Sequence, residues 1–256
     1  MGEVLITLGV VVLLFVVYEV YVTDLISAGK QRDATASLDN EWHQDDTSDP
    51  QRVDHFEGLK EGDGFAKMYI PSFGADYHFT VVEGVGEKSL EVGPGHYPDT
   101  AYPGAPGNFS VAGHRVGKGA PFNDIDLVNA CDAIIVETQH SWFVYRMLPE
   151  KSQKANWAEV KAKNPKCANV NPLGAPYADL IGQEIVTPNQ GSVVAPVPHH
   201  PEVKLSAGQQ AALMTLTTCH PKFSDRQRLI VHAVLDHQIP KDQLPPNTPP
   251  AEMKES

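Results

Sequence analysis

The sequence is poor in several things that would each point to a function. Only three cysteines occur among 256 residues, Cys131, Cys167 and Cys219, too few for the disulfide framework that holds small secreted domains together. No dense Lys/Arg stripe appears and the formal net charge is -12. Phosphate binding needs a basic face, so nucleic acid is not an expected partner. Cys-rich metal signatures are missing, and His114, Cys219 and His220 lack compact ligand spacing, so no metal and no other cofactor is expected. Asp45, Asp46 and Asp49 lack the glycine and the spacing of a calcium loop. There is no internal repeat.

What is present begins with an apolar run, Val4 to Val22, broken only by Thr7, two tyrosines and Glu19. At 1.5 Å per residue it just reaches across a hydrocarbon core of roughly 30 Å. Residues 1–23 are read as a single transmembrane anchor, with Tyr18, Glu19 and Tyr21 near one interface. A cleaved signal peptide is the alternative; the run is long for a signal core and no clear A-x-A site follows it. Nothing basic precedes the run, while Lys30 and Arg32 follow it among acids, so charge alone does not set the topology.

Residues 24–63 are acidic and polar, as in DNEWHQDDTSDPQ, a composition that cannot offset the entropy of ordering. They are expected to form a disordered stalk. Residues 239–256, rich in Pro, Lys and Glu, are expected to be a disordered tail.

Between them, residues 64–238 carry short apolar runs separated by Gly and Pro: FAKMYIPSFG, YHFTVVEGVG, NFSVAGH, AIIVET, WFVYRML, EIVTP, SVVAPVP, LMTLTTC and LIVHAVL. Their length and β-branched content predict strands, and the recurring turn signals favour a mainly β barrel or sandwich over alternating βα units. Helical candidates are a short turn at 121–128 and a surface helix at 152–163.

TLTTCHPKFSDRQRLIVHAVL, residues 215–235, reads as two strands joined by a polar loop. Cys219 would end the first strand and Arg228 begin the second, facing one another across the hairpin mouth. A guanidinium there would favour a thiolate or hold an oxyanion. Burial as a small hydrophobe is the commonest fate of a free cysteine; Thr217, Thr218 and His220 around Cys219 argue against it. Arg226 is the rival for Arg228, with the same strand parity. In GNFSVAGHRVGKGAPF, alternation at Phe109, Val111 and Gly113 predicts a strand delivering His114 at its end. An imidazole beside a thiol supplies the two proton transfers of acyl transfer. With eleven histidines in the chain, spacing alone does not single out His114. Pairing of Cys131 with Cys167 would leave Cys219 as the free thiol; it requires Cα atoms closer than about 7 Å.

Two blocks taken together, GHYPDTAYPGAPGNFSVAGHR and, about a hundred residues later, TLTTCHPKFSDRQRLIVHA, resemble the sortase family, and the TLTTCHPKFS form most resembles the class E sortases of actinobacteria. MYIPSFG, VVEGVG and the membrane run extend the resemblance. It implies a closed sortase-type β-barrel with a few short helices, preceded by one transmembrane helix. It implies a cysteine transpeptidase in which Cys219 attacks the Thr-Gly carbonyl of a sorting signal, His114 is general acid and then base, and Arg228 holds substrate and oxyanion. Thr218 is a candidate for the oxyanion site, and Tyr97 and Tyr102 are candidates for shaping a preference for Leu-Ala-x-Thr-Gly over Leu-Pro-x-Thr-Gly. The implied partners are sorting-signal peptides of secreted proteins, a peptidoglycan or lipid-linked precursor amine, and the cell membrane, with the catalytic domain extracytoplasmic. Residues 149–183 form an insertion outside the family pattern, read as decoration of a strand connection, with modulation of substrate access as the alternative; Cys131 stands where a turn glycine is expected. The alternatives are a non-catalytic, membrane-tethered peptide-binding β-domain, a pilin-polymerising sortase, and a cysteine hydrolase using water as acceptor.

Overall fold

A computed structural model describes residues 2–18, 23–45, 52–245 and 248–255. The described residues form nine strands, eight from the apolar runs and β3 from none of them: β1 (Gly64–Tyr69), β2 (His78–Glu83), β3 (Gly95–His96), β4 (Gly107–Ala112), β5 (Ala133–Glu137), β6 (Ser141–Met147), β7 (Gln183–Val186), β8 (Ala212–His220) and β9 (Gln227–Pro240). They pair in the order β6-β5-β1-β2-β3-β4-β8-β9-β7, and β6 also pairs with β9. That last pairing closes eight strands into a barrel, with β7 attached beside the first half of β9.

Alternation along β8 and the first half of β9 selects the residues that enter the barrel, and one bulge interrupts the β6–β9 pairing between Val144 and Tyr145. Met214 and Leu216 of β8 and Leu229, Val231 and Ala233 of β9 enter the barrel interior with Phe109, Val111 and Tyr145. Strand geometry then turns Thr215, Thr217 and Cys219, and Arg228, Ile230 and His232, to the opposite face. One expected strand is different: SVVAPVP forms a short 3-10 turn, Gly191–Val194. Pro196 and Pro198 deny the segment ladder donors, and the amide of Asn108 donates instead to the carbonyls of Val193 (3.3 Å) and Ala195 (3.1 Å).

Among the described residues four α-helices accompany the barrel: α1 (Gly2–Val17), α2 (Thr23–Asp45), α3 (Glu87–Leu90) and α4 (Trp157–Lys163). Among the described residues no helix is long and apolar enough to cross a membrane; residues 19–22 of the expected span lie outside them.

The expected disordered stalk is corrected over residues 24–45, which fold within α2 against β1 and β2. Its inward stripe is Ser27, Gln31, Thr35 and Leu38, with only Leu38 a large apolar residue. Docking is polar. Gln31 donates to the carbonyl of Thr80 and accepts from its N–H, both at 2.9 Å, as a neighbouring strand would. Lys30 reaches Glu91 at 2.6 Å, and Trp42 lies under the ammonium groups of Lys67 and Lys241.

The disordered tail is corrected too, since β9 runs to Pro240 and residues 248–255 return to the barrel wall. Arg146 on β6, buried, takes Glu255 bidentately (2.6 and 2.9 Å) and donates to the carbonyl of Cys131, while Met253 packs beside Trp142 and Val144. Planar bidentate pairing is the strong form of this interaction. Glu255→Ala is expected to destabilise the fold by about 1–3 kcal/mol, read as a lower thermal midpoint; an unchanged midpoint would mean that the tail contributes nothing.

The insertion carries α4 and its own small core, Trp157, Cys167 and Val170 against Ala130 and Cys131. Trp157 is buried, so the helix is less superficial than its composition suggested. Cys131 and Cys167 are disulfide-bonded, with Cα atoms 5.0 Å apart, and Cys131 holds a φ of 73°, the left-handed region that favours glycine.

Candidate active site

β8 delivers Cys219 at its end, one residue before the chain leaves the sheet, half-buried and the free thiol of the chain. Across the ladder Cys219 pairs with Arg228, so the two side chains leave the sheet on one face as nearest cross-strand neighbours. Arg226 lies beyond the start of β9, in the exposed connection. The Arg228 guanidinium is folded back on that connection, Nη1 donating to the carbonyls of Asp225 (2.8 Å) and Gln227 (3.0 Å). Both of these acceptors are neutral carbonyls.

β4 runs parallel to β8 and continues the clamp beyond its last residue. Gly113 N–H donates to the carbonyl of Thr217 (3.0 Å), and the Thr218 hydroxyl donates to the carbonyl of Gly113 (2.7 Å). A Cβ at Gly113 would meet the Phe122 ring at 2.5 Å, so this close approach needs glycine. The next residue is His114. It shares with Cys219 a cleft of about 320 Å³, also lined by Arg115, Val116, Phe223, Ser224 and Asp225.

The Nε2 atom of His114 is buried without a hydrogen-bond partner, leaving it uncommitted for proton transfer. Burial, and then the positive charge of Lys118, hold this imidazole below the ordinary histidine value, with Glu91 and Glu87 opposing. Its titration midpoint, followed by the NMR shift of the ring protons, is expected below about 6.5. It should move up in Lys118→Met, which removes a repelling cation; no movement would assign the depression to burial alone.

Thr218 precedes the thiol, and its hydroxyl is spent on Gly113, so that hydroxyl positions the His114 segment instead of offering its proton to an oxyanion. The Tyr97 hydroxyl bonds the Thr217 hydroxyl at 2.9 Å, which sets Tyr97 on the face that ends at Cys219. Tyr102 is not brought to the site. It stacks on Phe56 (4.6 Å) and donates to Glu83 (3.4 Å). Its neighbour Ala101 bonds Asn108, opposite Leu213, six residues or roughly 20 Å along β8 from the thiol.

Sequence reasoning missed Arg115. Its buried guanidinium binds Asp126 (2.8 Å), the carbonyl of Asn123 and Nδ1 of His220 (3.3 Å). A fixed positive charge therefore sits against the residue that follows the nucleophile candidate. The signal was its adjacency to His114 in AGHR. No residue of the insertion lines the cleft.

The sortase domain family model matches residues 68–236. Sortase SrtE1 of Streptomyces coelicolor is 30% identical over 96% of this chain, which spans 59% of that relative's length. Among solved structures, the SrtF sortase of Corynebacterium diphtheriae is 41% identical with a TM-score of 0.69, over 79% of this chain and 97% of that one. Sortase E1 of Streptomyces coelicolor, solved with a tripeptide in its active site, is 29% identical with a TM-score of 0.52, over 73% of this chain and 96% of that one. With a family match over well more than half its residues on a closed eight-stranded barrel, the chain belongs to the sortase family and within it resembles class E.

Proposed function

We propose that this chain is a cysteine transpeptidase that cuts a Leu-Ala-x-Thr-Gly type sorting signal between Thr and Gly and passes the acyl group to an amine, anchoring secreted proteins to the cell wall. The observation that carries this reading is a free thiol, Cys219, paired across the ladder with Arg228 and sharing a cleft with the uncommitted Nε2 of His114.

The Cys219 thiolate attacks the Thr carbonyl carbon, and the oxyanion is held by Arg228 swung from its carbonyl partners. Collapse breaks the C–N bond, and the imidazolium of His114 gives its proton to the departing Gly amine, leaving a thioester. The incoming amine loses a proton to neutral His114 as it attacks, and the thioester bond breaks to restore the thiolate beside the imidazolium. Tyr97, on the face leading to Cys219, is a candidate for contacting the residues before Thr; a tripeptide in the active site of a class E relative supports a peptide on this face. The acceptor is a peptidoglycan or lipid-linked precursor amine.

Residues 1–23 are proposed as the single-pass membrane anchor, with the barrel extracytoplasmic. The exposed apolar side chains of α1, Ile6, Leu13 and Phe15 among them, support this reading.

The test is mass-spectrometric assay of Leu-Ala-x-Thr-Gly and Leu-Pro-x-Thr-Gly peptides with and without an added amine. Amine-dependent ligation is expected, faster with the first peptide. Release independent of amine would make the enzyme a hydrolase, and silence from folded protein would favour a peptide-binding domain.

A further inference from the structure

Beyond the transpeptidase site, the same outer face of the sheet carries a second cluster. Glu184 comes from β7, His232 from β9, and His199 from the connection between β7 and β8. One carboxylate oxygen, Glu184 Oε1, lies 2.6 Å from His199 Nε2 and 2.9 Å from His232 Nε2. The three ligand atoms all lie within 4.8 Å of one another. His232 is fully buried, Glu184 largely so, and His199 opens the cluster to solvent on one side.

The hydrogen bonds behind His232 decide what its Nε2 can do. The side-chain amide of Asn108 donates to Val193 and Ala195, so its oxygen is the acceptor for the Thr215 hydroxyl at 2.8 Å. Thr215 has one proton and has given it to Asn108, so its oxygen must accept from Nδ1–H of His232, 2.9 Å away. A neutral His232 therefore presents a bare lone pair at Nε2, aimed at a carboxylate oxygen. Two lone pairs at that separation need something positive between them. A protonated imidazole would satisfy them, at the cost of a charged ring in a fully buried position. A divalent cation would satisfy them with His232 neutral, and a hydroxyl fixing the other ring nitrogen is the usual outer support of a metal-bound histidine.

His199 adds a further sign: it holds a φ of 68°, a conformation costly for a residue with a Cβ. Tetrahedral zinc would need its ligand atoms about 3.3 Å apart, from bond lengths near 2.0–2.1 Å. Moving Glu184 Oε1 by less than about 1 Å opens its 2.6 and 2.9 Å spacings to the two imidazoles to that value, the two imidazole nitrogens themselves lie within 4.8 Å of one another, and the solvent side leaves room for a water as fourth ligand.

We propose that Glu184, His199 and His232 bind a zinc-class divalent cation, and that this cation clamps the connection at 187–211 over the outer face that ends at Cys219. That connection leaves β7 at Val186, which pairs with Arg228. Val193 and Val194 pack on Val186 and Ile230, and Ile230 pairs with Thr217. His232 is four residues, about 13 Å, along β9 from Arg228. The cation lies outside the reacting centre and acts on the segment covering the approach to it. The sequence reading expected no metal, because the ligands come from three separate segments.

The test uses the full 256-residue chain as the Cys219→Ala variant, stripped by chelator, so that the free thiol beside His114 and His220 cannot bind metal. One equivalent of Zn²⁺ is expected to bind with a rise in thermal midpoint, and Co²⁺ should give the visible bands of a low-coordinate site. His199→Ala, at a half-exposed position, and Glu184→Gln should each weaken uptake by at least about 100-fold. Hydrogen exchange of the amides at 191–200 should slow by at least about tenfold with Zn²⁺. Uptake absent in Cys219→Ala but present in the parent, or undiminished in His199→Ala and Glu184→Gln, overturns the site; uptake without slowed exchange overturns the clamp. These readouts do not depend on transpeptidation, so their failure is separable from failure of that assignment.

Discussion

Replacing Cys219 by alanine is expected to lower amine-dependent ligation by at least about 10³-fold, to the level of the uncatalysed background, because the cleft holds no other thiol to form the acyl intermediate. The thermal midpoint should stay close to that of the parent, since the half-buried thiol fills no core position. His114→Ala should cost about 10²–10⁴-fold, the usual contribution of a positioned acid–base group. The two losses should not add, because residues that act in one proton-and-nucleophile unit fail together. Arg228→Ala should lower kcat more than it raises KM if the guanidinium meets charge only as the oxyanion develops. Arg226→Ala should do little, because it precedes β9, in the exposed connection. Comparable losses in the two arginine variants would undo the assignment to Arg228. Mass spectrometry of the trapped thioester in the parent, absent from Cys219→Ala, checks the first step directly.

The parts that could be read from the sequence are those where local pattern and global packing agree. Alternation in LMTLTTC and LIVHAVL fixed which residues enter the barrel, and with it the pairing of Cys219 with Arg228. Alternation in NFSVAGH put His114 at a strand end. The failures share a cause: contact made through polar groups. α2 has no apolar stripe for a periodicity argument to find, and docks through Gln31, Thr35 and two lysine ion pairs. The last residues are held by Glu255 on Arg146, a pairing across 109 positions that composition cannot see. The place of Tyr102 in the connection before the His114 strand points to the site, yet its ring joins an aromatic cluster with Phe56 and Phe65 at the far end of β4. The cluster of Glu184, His199 and His232 depends on which strands are neighbours, and β7 meets β9 only after β8 has been inserted between them in the chain.

Removal of the Cys131–Cys167 bridge carries the largest expected effect on stability. The bridge closes a loop with a sequence separation of 36, and loop-closure entropy alone gives a stabilisation of about 4 kcal/mol. The insertion it secures has few other apolar anchors, a core of five buried residues with Val160 beside it. Without the bridge, the unfolded chain regains the freedom of the whole segment. Cys131→Ala/Cys167→Ala should therefore lower the thermal midpoint by roughly 8–15 °C under non-reducing conditions, at the 2–4 °C per kcal/mol expected for this size. Ligation at 25 °C should be unchanged, because neither cysteine nor any insertion residue lines the cleft. The two contributions at position 131 are separable. Cys131 sits at φ 73°, where a Cβ costs about 1–2 kcal/mol and glycine costs little. Cys131→Gly/Cys167→Ala should thus recover about 1 kcal/mol relative to the double alanine variant. A thiol titration of the unreduced, unfolded parent should find one reactive cysteine, Cys219. Three would mean that the bridge is absent, and equal midpoints for the parent and the double alanine variant would mean that it contributes nothing to holding the insertion on the barrel.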